Sequence, residues 1–575
     1  MPNWLRLRGC VRLFTAQECL RVPNQDSKRQ YDNHLIPSTS MSVPSRSNSV
    51  RKRSRACEEC HRLKIKCDVS PSPGGACERC IRNGLVCEPA APRLQRDRIS
   101  ELEAQVQELT IALREKSSSA TPTRSPASSV DSHDQFVLSI LDSRIPFKKQ
   151  QELLQYYISH AGTAWPVVRL RRDLDYIRTK SPVLLLSILV YTLTQEAQGT
   201  ESDVHDELIR ETMHVVGDEV IARGQRSLEL VQALLITAFW NKPSRSGQAS
   251  CYQIVQLAVD MAIDLGIAGV FWQPSPVAYF SHHEDPASVE ARRTWLACFV
   301  AISTSSMSMR RPNTIPWNGY HQECLMYLEN TGDQSDMLLC QIVRITKLIE
   351  DAAIQMRLCQ LAEFVDGNDY NTYAAIDMLK NNVDAWAAQI PPNLATSTTL
   401  KVLYHVAMVH IYEVALHTPT NKTAFVAPFL PGRIPVKDIP APANIILPLG
   451  LALETIIQNC QAVIDTLANM DSSLVLSLPS FCFAPNILYS LYVLVTTLVT
   501  ASYPGNTYSQ CVDKDRIRIE EYGLKLRVMT SCLKALDPTM SCWTTRMIDA
   551  TSWLEDWYND YAAIVARYES NAAMS

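Results

Sequence analysis

The chain has 575 residues and a formal net charge of −4, and 46% of its residues are hydrophobic. Arg51 to Arg98 carries twelve basic and six acidic side chains, whereas residues 99–575 carry a net charge of −14. A basic head of this kind favours binding to nucleic-acid phosphates, and an acidic remainder is kept away from them. Neither a secretory signal nor a high cysteine density throughout is present, which argues against a secreted disulfide scaffold.

The first fifty residues show no regular pattern, and we expect a disordered N-terminal segment or a translation start at Met41. Arg6, Arg8 and Arg12 among apolar neighbours also resemble a transit peptide, an alternative that conflicts with nucleic-acid binding. A basic run follows, made of Arg51, Lys52, Arg53 and Arg55. It indicates a nuclear-import signal or an arm that lies on a phosphate backbone, with a solvated basic tail as the alternative.

Six cysteines then form two near-copies of the spacing C-x2-C-x6-C. They are Cys57, Cys60, Cys67, Cys77, Cys80 and Cys87. In each copy two thiolates can clamp one ion, and the third comes round a short helix to the same side. Zinc takes four ligands in a tetrahedron, so six thiolates satisfy two Zn²⁺ ions only if two sulfurs bridge. The spacing predicts a two-zinc cage whose metal builds the fold, because the stretch has too little apolar surface to fold alone.

The stretch CEECHRLKIKCDVSPSPGGACERCIRNGLVC resembles the DNA-binding module of the fungal Zn(II)2Cys6 binuclear-cluster transcription factors. The resemblance implies that the first and fourth cysteines, Cys57 and Cys77, bridge the two zincs. It also implies that Lys64 reads a CGG triplet in the major groove, where its ammonium can donate to guanine O6 and N7. Arg62 and Lys66 suit contacts to phosphates.

Two features depart from the family pattern. His61 stands where the family most often has arginine, which makes a phosphate contact there weaker or pH-dependent. The loop of residues 68–76 is longer than usual, but it only links the two clamps. A zinc module that binds protein or RNA instead of DNA remains the alternative.

A heptad pattern begins after a short linker that contains Pro89 and Pro92. Its core positions are Ile99, Leu102, Val106, Leu109 and Leu113. β-Branched residues at the first two a positions, with leucine at d, favour a parallel dimer. Two heptads are few, so we expect a weak dimer unless the rest of the protein also pairs. The alternative is an amphipathic helix packed on its own chain.

Residues 117–135 are rich in serine, threonine, proline and alanine, which predicts a flexible linker. From about Phe136 onward the apolar periodicity is helical, and we expect an all-α body of one or two packed domains. Five apolar stripes carry this prediction: Leu228, Val231, Leu234, Leu235 and Ala238; Ile254, Leu257, Ala258, Met261 and Leu265; Leu338, Ile342, Ile345 and Ile349; Leu379, Val383, Trp386 and Ile390; Ile519, Leu526, Met529, Leu533 and Leu536.

The stretches ELVQALLITAFW, QLAVDMAIDLGI and ARRTWLACFVAISTSSMSMRRPNTI, within residues 229–315, resemble the regulatory region of the same family. This looser resemblance implies a helical module that receives signals, contacts the transcription machinery or restrains activation. Two interpretations of this module stay open: a small-molecule sensor, and a purely structural or interaction domain. Residues 487–501 are strongly apolar, but prolines on either side leave too little length for a membrane span, so we expect a buried core helix and no membrane partner.

We found no glycine-rich phosphate cradle, nucleophile elbow or HExxH zinc site, so we expect no enzymatic activity. The predicted organisation comprises residues 1–50 (disordered), 51–90 (Zn2Cys6 DNA-binding module), 98–116 (short coiled coil for dimerisation), 117–135 (disordered linker) and 136–575 (all-α regulatory domain). The expected function is that of a nuclear, dimeric factor that binds double-stranded DNA and regulates RNA polymerase II genes of a metabolic or natural-product pathway. Its expected partners also include the transcription machinery and a small-molecule effector. The alternative is a zinc-module cofactor or ligand sensor without sequence-specific DNA binding.

Overall fold

The computed structural model describes residues 56–68, 76–88, 127–170, 173–192, 202–242, 251–276, 282–436, 447–502 and 511–574. These residues contain helices and no β-strand, which confirms the predicted mainly α-helical class for the described part of the chain. The chain divides into two units, Met1–Thr123 and Arg124–Ser575. We call the described residues of the first unit the cysteine module and the second unit the helical body.

The cysteine module contains two short helices, α1 (Glu58–Arg62) and α2 (Glu78–Arg82). Each helix starts directly after a cysteine in extended conformation, Cys57 or Cys77. Acidic residues occupy both first turns and basic residues both last turns, which suits the helix dipole. Five-residue helices are far too short to be stable alone, so their geometry must be fixed by the cysteines around them.

In its described residues the helical body is an array of α-helices, and several connections contain single turns of 3₁₀-helix. Its helices are α3 (Ala127–Arg144), α4 (Phe147–Ser159), α5 (Ala161–Ala164), α6 (Leu174–Lys180), α7 (Pro182–Tyr191), α8 (Ser202–Gly217), α9 (Leu228–Phe239), α10 (Cys251–Asp264), α11 (Val289–Met309), α12 (Gly319–Glu329), α13 (Gln334–Gln355), α14 (Tyr370–Ala388), α15 (Thr398–Tyr412), α16 (Leu447–Ala468), α17 (Ser472–Ser477), α18 (Ser480–Ser502), α19 (Ile519–Leu536), α20 (Trp543–Asp549) and α21 (Trp553–Met574). One π-helical turn, Asp218–Ala222, continues α8.

The predicted apolar stripes face the interior of the body. All five residues of the first stripe are buried in α9, whose first turn is capped by Ser227 Oγ, 3.2 Å from the Leu230 amide. In the second stripe, Ile254, Ala258 and Met261 are buried on α10 and Leu265 is buried just after it. The chain turns at the next residue, Gly266, where φ is +77°. Serine at the N-terminus and glycine just past the C-terminus are the expected boundary signals. Three stripe residues, Leu257, Ile349 and Ile390, are only partly buried, and Leu536, the last residue of α19, is 36% exposed.

Helix α11 lies at the centre of the body. Sixteen of its 21 residues are buried, and it packs against α9, α10, α12, α13 and α18. The Arg-Arg-Thr-Trp motif lies in this helix, and Arg293 donates to both carboxylate oxygens of Asp336 on α13, at 2.7 and 3.0 Å. Trp295 is fully buried. The motif therefore fastens two helices of the core together.

Helix α18 contains the uncharged, strongly apolar segment. It is the one described helix that is long and apolar enough to cross a membrane, and 83% of its most apolar window is buried inside the protein. Burial of this extent is typical of the core helix of a folded domain. Pro485 lies inside the helix and cannot donate the usual hydrogen bond to the preceding turn.

The predicted boundary between the linker and the body is wrong. Residues 127–135, which we predicted to belong to a flexible linker, form the first half of α3. His133 Nε2 lies 2.6 Å from Glu219 Oε1, and Val137 and Leu141 are buried. The buried residues anchor a helix that extends backward because no glycine or proline interrupts it until Pro126. Residues 117–126 lie outside the described residues, as do the predicted coiled coil of 98–116 and the N-terminal segment of 1–50.

Candidate metal centre and nucleic-acid interface

The six cysteines are arranged by two halves of the module that repeat one another twenty residues apart. In the first half, the Cys57 amide lies 3.4 Å from Cys67 Sγ, and in the second the Cys77 amide lies 3.2 Å from Cys87 Sγ. Each hydrogen bond closes the chain of its half around the short helix. The duplicated sequence spacing therefore produces a duplicated local structure, as the C-x2-C-x6-C pattern predicts.

The sulfur atoms approach one another across the two halves. Cys57 Sγ lies 3.8 Å from Cys77 Sγ and 3.7 Å from Cys80 Sγ, and Cys60 Sγ lies 3.7 Å from Cys77 Sγ. Disulfide sulfurs would be about 2.05 Å apart. Two sulfurs on one tetrahedral zinc, each about 2.3 Å from it, are separated by about 3.8 Å. The spacing fits thiolates around zinc and does not fit disulfides.

The six sulfurs form two overlapping groups of four, and within each group all sulfurs lie within 4.8 Å of one another. One group is Cys57, Cys60, Cys67 and Cys77, and the other is Cys57, Cys77, Cys80 and Cys87. Each group has the ligand number of a structural zinc site. Cys57 and Cys77 are common to both groups.

The two shared cysteines are also the ones that lose their protons most readily. The Cys60 amide is the main influence that lowers the pKa of the Cys57 thiol, and the Cys80 amide lowers the pKa of the Cys77 thiol to about 6. Burial raises the pKa of the Cys60 and Cys80 thiols. Since a metal binds the deprotonated sulfur, this pattern suits a cage whose central ligands are Cys57 and Cys77.

One residue that contacts the cage was not predicted from the sequence. Arg79 Nη1 lies 3.8 Å from Cys60 Sγ, so a guanidinium of the second half contacts a sulfur of the first. Arg79 lies between Cys77 and Cys80 in the sequence, but its contact with a sulfur of the first half depends on how the two halves meet.

The four predicted DNA-contacting residues of the first half, His61, Arg62, Lys64 and Lys66, are all exposed. They lie at the end of α1 and in the turn after it. Arg62 Nη2 lies 2.9 Å from Glu59 Oε2, and Lys66 Nζ lies 3.1 Å from Asp68 Oδ1. Such exposed pairs are weak, so both cations can exchange these partners for phosphates. All four basic side chains of the first half are therefore accessible to solvent.

Lys64 has a backbone conformation that non-glycine residues seldom adopt. Its φ is +51°, and Gly84, at the equivalent position of the second half, has φ +60°. Only the first half therefore presents a side chain from this left-handed turn. A non-glycine residue there costs backbone energy, which points to a role for the side chain.

The remaining predicted site residues lie outside the described part of the chain. They are the basic run Arg51, Lys52, Arg53 and Arg55, and the heptad residues Ile99, Leu102, Val106, Leu109 and Leu113. Their roles in phosphate binding and dimerisation stay predictions.

The sulfurs, which are grouped in fours at zinc spacing next to exposed basic side chains, have the arrangement of a zinc-binding module. Residues 55–97 match the family of the fungal Zn(2)-Cys(6) binuclear cluster domain, and residues 96–496 match the family of the WAR1 C-terminal domain. The chain belongs to the fungal Zn(2)-Cys(6) binuclear-cluster transcription factors and carries a body of the WAR1 C-terminal type. Transcription factors of this kind bind zinc and are not enzymes.

The chain is similar to several curated fungal proteins. Transcription factor pbcR of Emericella nidulans is 26% identical over 361 residues, which cover 52% of this chain and 48% of that protein. Transcription factor himD of Aspergillus japonicus is 24% identical, with 64% of this chain and 63% of that protein covered. Transcriptional regulator WAR1 of Candida albicans is 22% identical, with 44% and 27% covered.

The chain spans about half the length of the first of these relatives. No solved structure matches the chain.

Proposed function

We propose that the protein is a nuclear, homodimeric factor that binds CGG-type half-sites in double-stranded DNA and regulates RNA polymerase II genes, such as those of a metabolic or natural-product pathway. The observation that carries this proposal is the juxtaposition of the shared-sulfur cage with the exposed turn of Lys64. A rigid cage would fix the backbone from which that side chain projects, which the reading of a base edge requires.

Two zinc ions per chain are the first part of the proposal. One ion would be held by each group of four sulfurs, with Cys57 and Cys77 serving both. Bound zinc would join the two halves, which share little apolar surface of their own. The Arg79 guanidinium beside Cys60 would offset part of the negative charge of six thiolates.

Recognition of DNA is the second part. The Lys64 ammonium carries three donors on a flexible stem, and guanine presents two acceptors, O6 and N7, in the major groove. Arg62, Lys66 and His61 flank it on the exposed surface and would contact phosphates, which supply affinity without reading sequence. The basic run from Arg51 to Arg55 would extend this phosphate contact.

Dimerisation is the third part, through the heptad residues from Ile99 to Leu113. Two copies of the module held in parallel would read two half-sites, and the residues between Cys87 and Ile99 would set their spacing. The acidic helical body would contact the transcription machinery and respond to a small-molecule effector. The nuclear location follows from this activity.

Substitution of Lys64 tests the proposal. Lys64→Ala in the full chain should weaken binding to a CGG duplex by about 1 to 3 kcal/mol and erase the preference over a duplex with altered triplets. Lys66→Ala is the matched control, because it should weaken binding to both duplexes equally and reduce the salt dependence.

Fluorescence anisotropy with the two duplexes at several salt concentrations measures both quantities. If the unsubstituted protein binds all sequences equally, the alternative of a zinc-module cofactor or sensor without sequence-specific binding is favoured. An equal loss on both duplexes for Lys64→Ala would make Lys64 a phosphate contact.

A further inference from the structure

The two halves of the cysteine module have similar sequences, so the positions at which they differ are informative. The first half is CEECHRLKIKC and the second is CERCIRNGLVC. One difference falls directly before the second cysteine of each half, where the first half has Glu59 and the second has Arg79. An acidic and a basic side chain thus occupy equivalent places beside the cage.

The backbone contacts of the sulfurs are alike in the two halves. The Cys57 amide lies 3.4 Å from Cys67 Sγ, and the Cys77 amide lies 3.2 Å from Cys87 Sγ. The last sulfur of each half therefore accepts one backbone hydrogen bond. The second cysteine of each half is also fully buried, at 0% exposure. Neither property distinguishes one half from the other.

The side-chain contacts of the sulfurs are different in the two halves. Arg79 Nη1 lies 3.8 Å from Cys60 Sγ, so a guanidinium of the second half reaches a sulfur of the first. The equivalent Glu59 instead pairs with Arg62 on its own helix, at 2.9 Å. Among the described residues, no cationic side chain lies within hydrogen-bonding distance of Cys80 Sγ. The contact of Arg79 therefore has no counterpart on the other side of the cage.

Cys60 belongs to only one of the two groups of four sulfurs. We call that group, Cys57, Cys60, Cys67 and Cys77, the first zinc group, and we call Cys57, Cys77, Cys80 and Cys87 the second zinc group. An ion in the first zinc group would have a sulfur ligand with a cationic neighbour, whereas an ion in the second would not. The arginine therefore makes the two zinc positions chemically different, although the cysteine spacing is duplicated.

A guanidinium beside a thiolate makes that sulfur harder to protonate and less reactive toward electrophiles. Zinc leaves a thiolate site when its sulfurs are protonated or attacked, because the metal binds only the deprotonated sulfur. Hydrogen-bond partners of metal ligands typically change metal affinity by about 10- to 100-fold. Exposed cations of the first half, such as Lys64 and Lys66, act in the same direction but are screened by water. The ion without a cationic neighbour should leave first.

Loss of that ion need not empty the whole cage. The first zinc group has four sulfurs, which is the ligand number of a structural zinc site. When the other ion leaves, Cys57 and Cys77 can stay bound to the ion of the first zinc group, and only Cys80 and Cys87 lose their metal. The expected intermediate has one zinc ion and two free thiols at known positions.

We propose that Arg79 acts through Cys60 to make the two zinc ions unequal, so that the ion of the second zinc group is the labile one. Cys80 and Cys87 are then the reactive thiols of the module and the first point of attack for chelators and thiol-directed electrophiles. This inference rests on the proposed function, since it requires two zinc ions per chain.

Zinc release from the full chain to a chromophoric chelator tests the proposal. Release should occur in two phases of equal amplitude, with the slow phase about tenfold slower than the fast one. Arg79→Leu should accelerate the slow phase until the two phases merge. Arg82→Leu removes an exposed arginine of the same helix and is the matched control, which should leave both phases unchanged.

The duplicated structure allows the reverse experiment. Glu59→Arg places a guanidinium at the equivalent position of the first half, where it can reach Cys80 Sγ, and should slow the fast phase. Two equivalent sulfur distances across the halves are both 3.7 Å, which supports this equivalence. When Glu59→Arg is combined with Arg79→Leu, the order of release should be inverted.

Alkylation identifies the thiols that are released. After one ion per chain has been removed, treatment with iodoacetamide and peptide mass mapping should find Cys80 and Cys87 modified, and Cys60 and Cys67 protected. Cys532, an exposed cysteine of the helical body, should react whether or not zinc is bound and serves as the internal reference.

The proposal is overturned if both ions leave the unsubstituted chain in one phase, if the thiols of the first zinc group are modified first, or if Arg79→Leu leaves the two phases as they were. Native mass spectrometry before the chelator is added separates this proposal from the proposed function. One zinc ion per chain would remove both, whereas two ions that leave together would remove this proposal alone.

Discussion

The cysteine module and the helical body are built by different forces. Among the described residues of the module, only Cys57, Cys60, Cys77 and Cys80 are buried, while large apolar side chains such as Ile81 and Val86 are exposed. The body has a continuous apolar core that includes residues from nearly all of its helices. The fold of the module depends on what its sulfurs bind, and the fold of the body depends on the burial of apolar surface.

The same contrast appears in their ion pairs. In the module, the side chains of Arg62 and Glu59 are 70% and 29% exposed. In the body, the side chains of Arg310 and Glu413 are 4% and 0% exposed, and His410 Nδ1 lies 3.0 Å from the same carboxylate. Charge serves recognition at the surface of the module, whereas in the body it is enclosed and must be paired.

Loss of one shared cysteine should have the largest effect. Cys77→Ala removes a ligand from both groups of sulfurs, and structural zinc contributes on the order of 10 kcal/mol to the folding of a small metal module. We expect specific DNA binding to disappear while the thermal unfolding of the body stays unchanged. Cys532→Ser, at an exposed cysteine of the body, is the control and should leave both properties intact. A body that melts earlier in Cys77→Ala would mean that the two regions are not independently stabilised.

Breaking the buried ion pair should have the second largest effect. Burial alone would raise the pKa of the Glu413 carboxyl, but Arg310 and His410 outweigh burial and hold it below its usual range. Glu413→Gln leaves the Arg310 charge uncompensated and should lower the free energy of unfolding of the body by about 3 to 5 kcal/mol. Urea unfolding followed by circular dichroism measures this loss. The exposed pair Arg357–Glu363 provides the control, and Glu363→Gln should change stability by less than about 1 kcal/mol.

Acid should weaken the body through its buried histidines. Burial lowers the pKa of His321 and of His417 to about 4, whereas an unfolded histidine has a pKa of about 6.5. Below pH 6.5 the unfolded chain therefore binds more protons than the folded chain. The stability that depends on neutral buried histidines is fully present above pH 6.5 and is lost as the pH falls toward 4. At pH 5 the loss should be about 2 kcal/mol for each histidine. Between pH 7 and pH 5, the urea concentration at the midpoint of unfolding should fall less steeply in His321→Gln than in the unsubstituted protein. An unchanged slope would show that this imidazole does not titrate on unfolding.

The surface pair of the module should matter least. Glu59→Gln removes an exposed partner of Arg62, and such pairs contribute about 0.2 to 1 kcal/mol. The rate of zinc transfer to a chelator should stay within about a factor of five of the unsubstituted protein. A loss of zinc as complete as in Cys77→Ala would show that Glu59 supports the cage directly.

Much of both regions could be predicted from sequence because their determinants are local. The cysteine spacing specifies which sulfurs return to one point, and stripes such as that of α9 specify which helix faces are buried. The contact of Arg79 with Cys60 depends on how the two halves meet, which spacing within each half does not reveal. The start of α3 was missed because its polar first turns resemble a linker, and only distant contacts such as that of His133 with Glu219 identify them as part of the body.

The helical body also contains a cavity whose lining residues are as far apart in the sequence as Trp165, Glu350 and Tyr489. No local sequence pattern could have indicated such a cavity, because it forms only when distant helices pack together.

The central claim is that the module is held by two zinc ions that share Cys57 and Cys77. Native mass spectrometry of the full chain measures the number of bound ions directly. We expect a mass that corresponds to two zinc ions per chain, together with six coordinated thiolates. A fully folded, DNA-binding chain with a single zinc would contradict the claim.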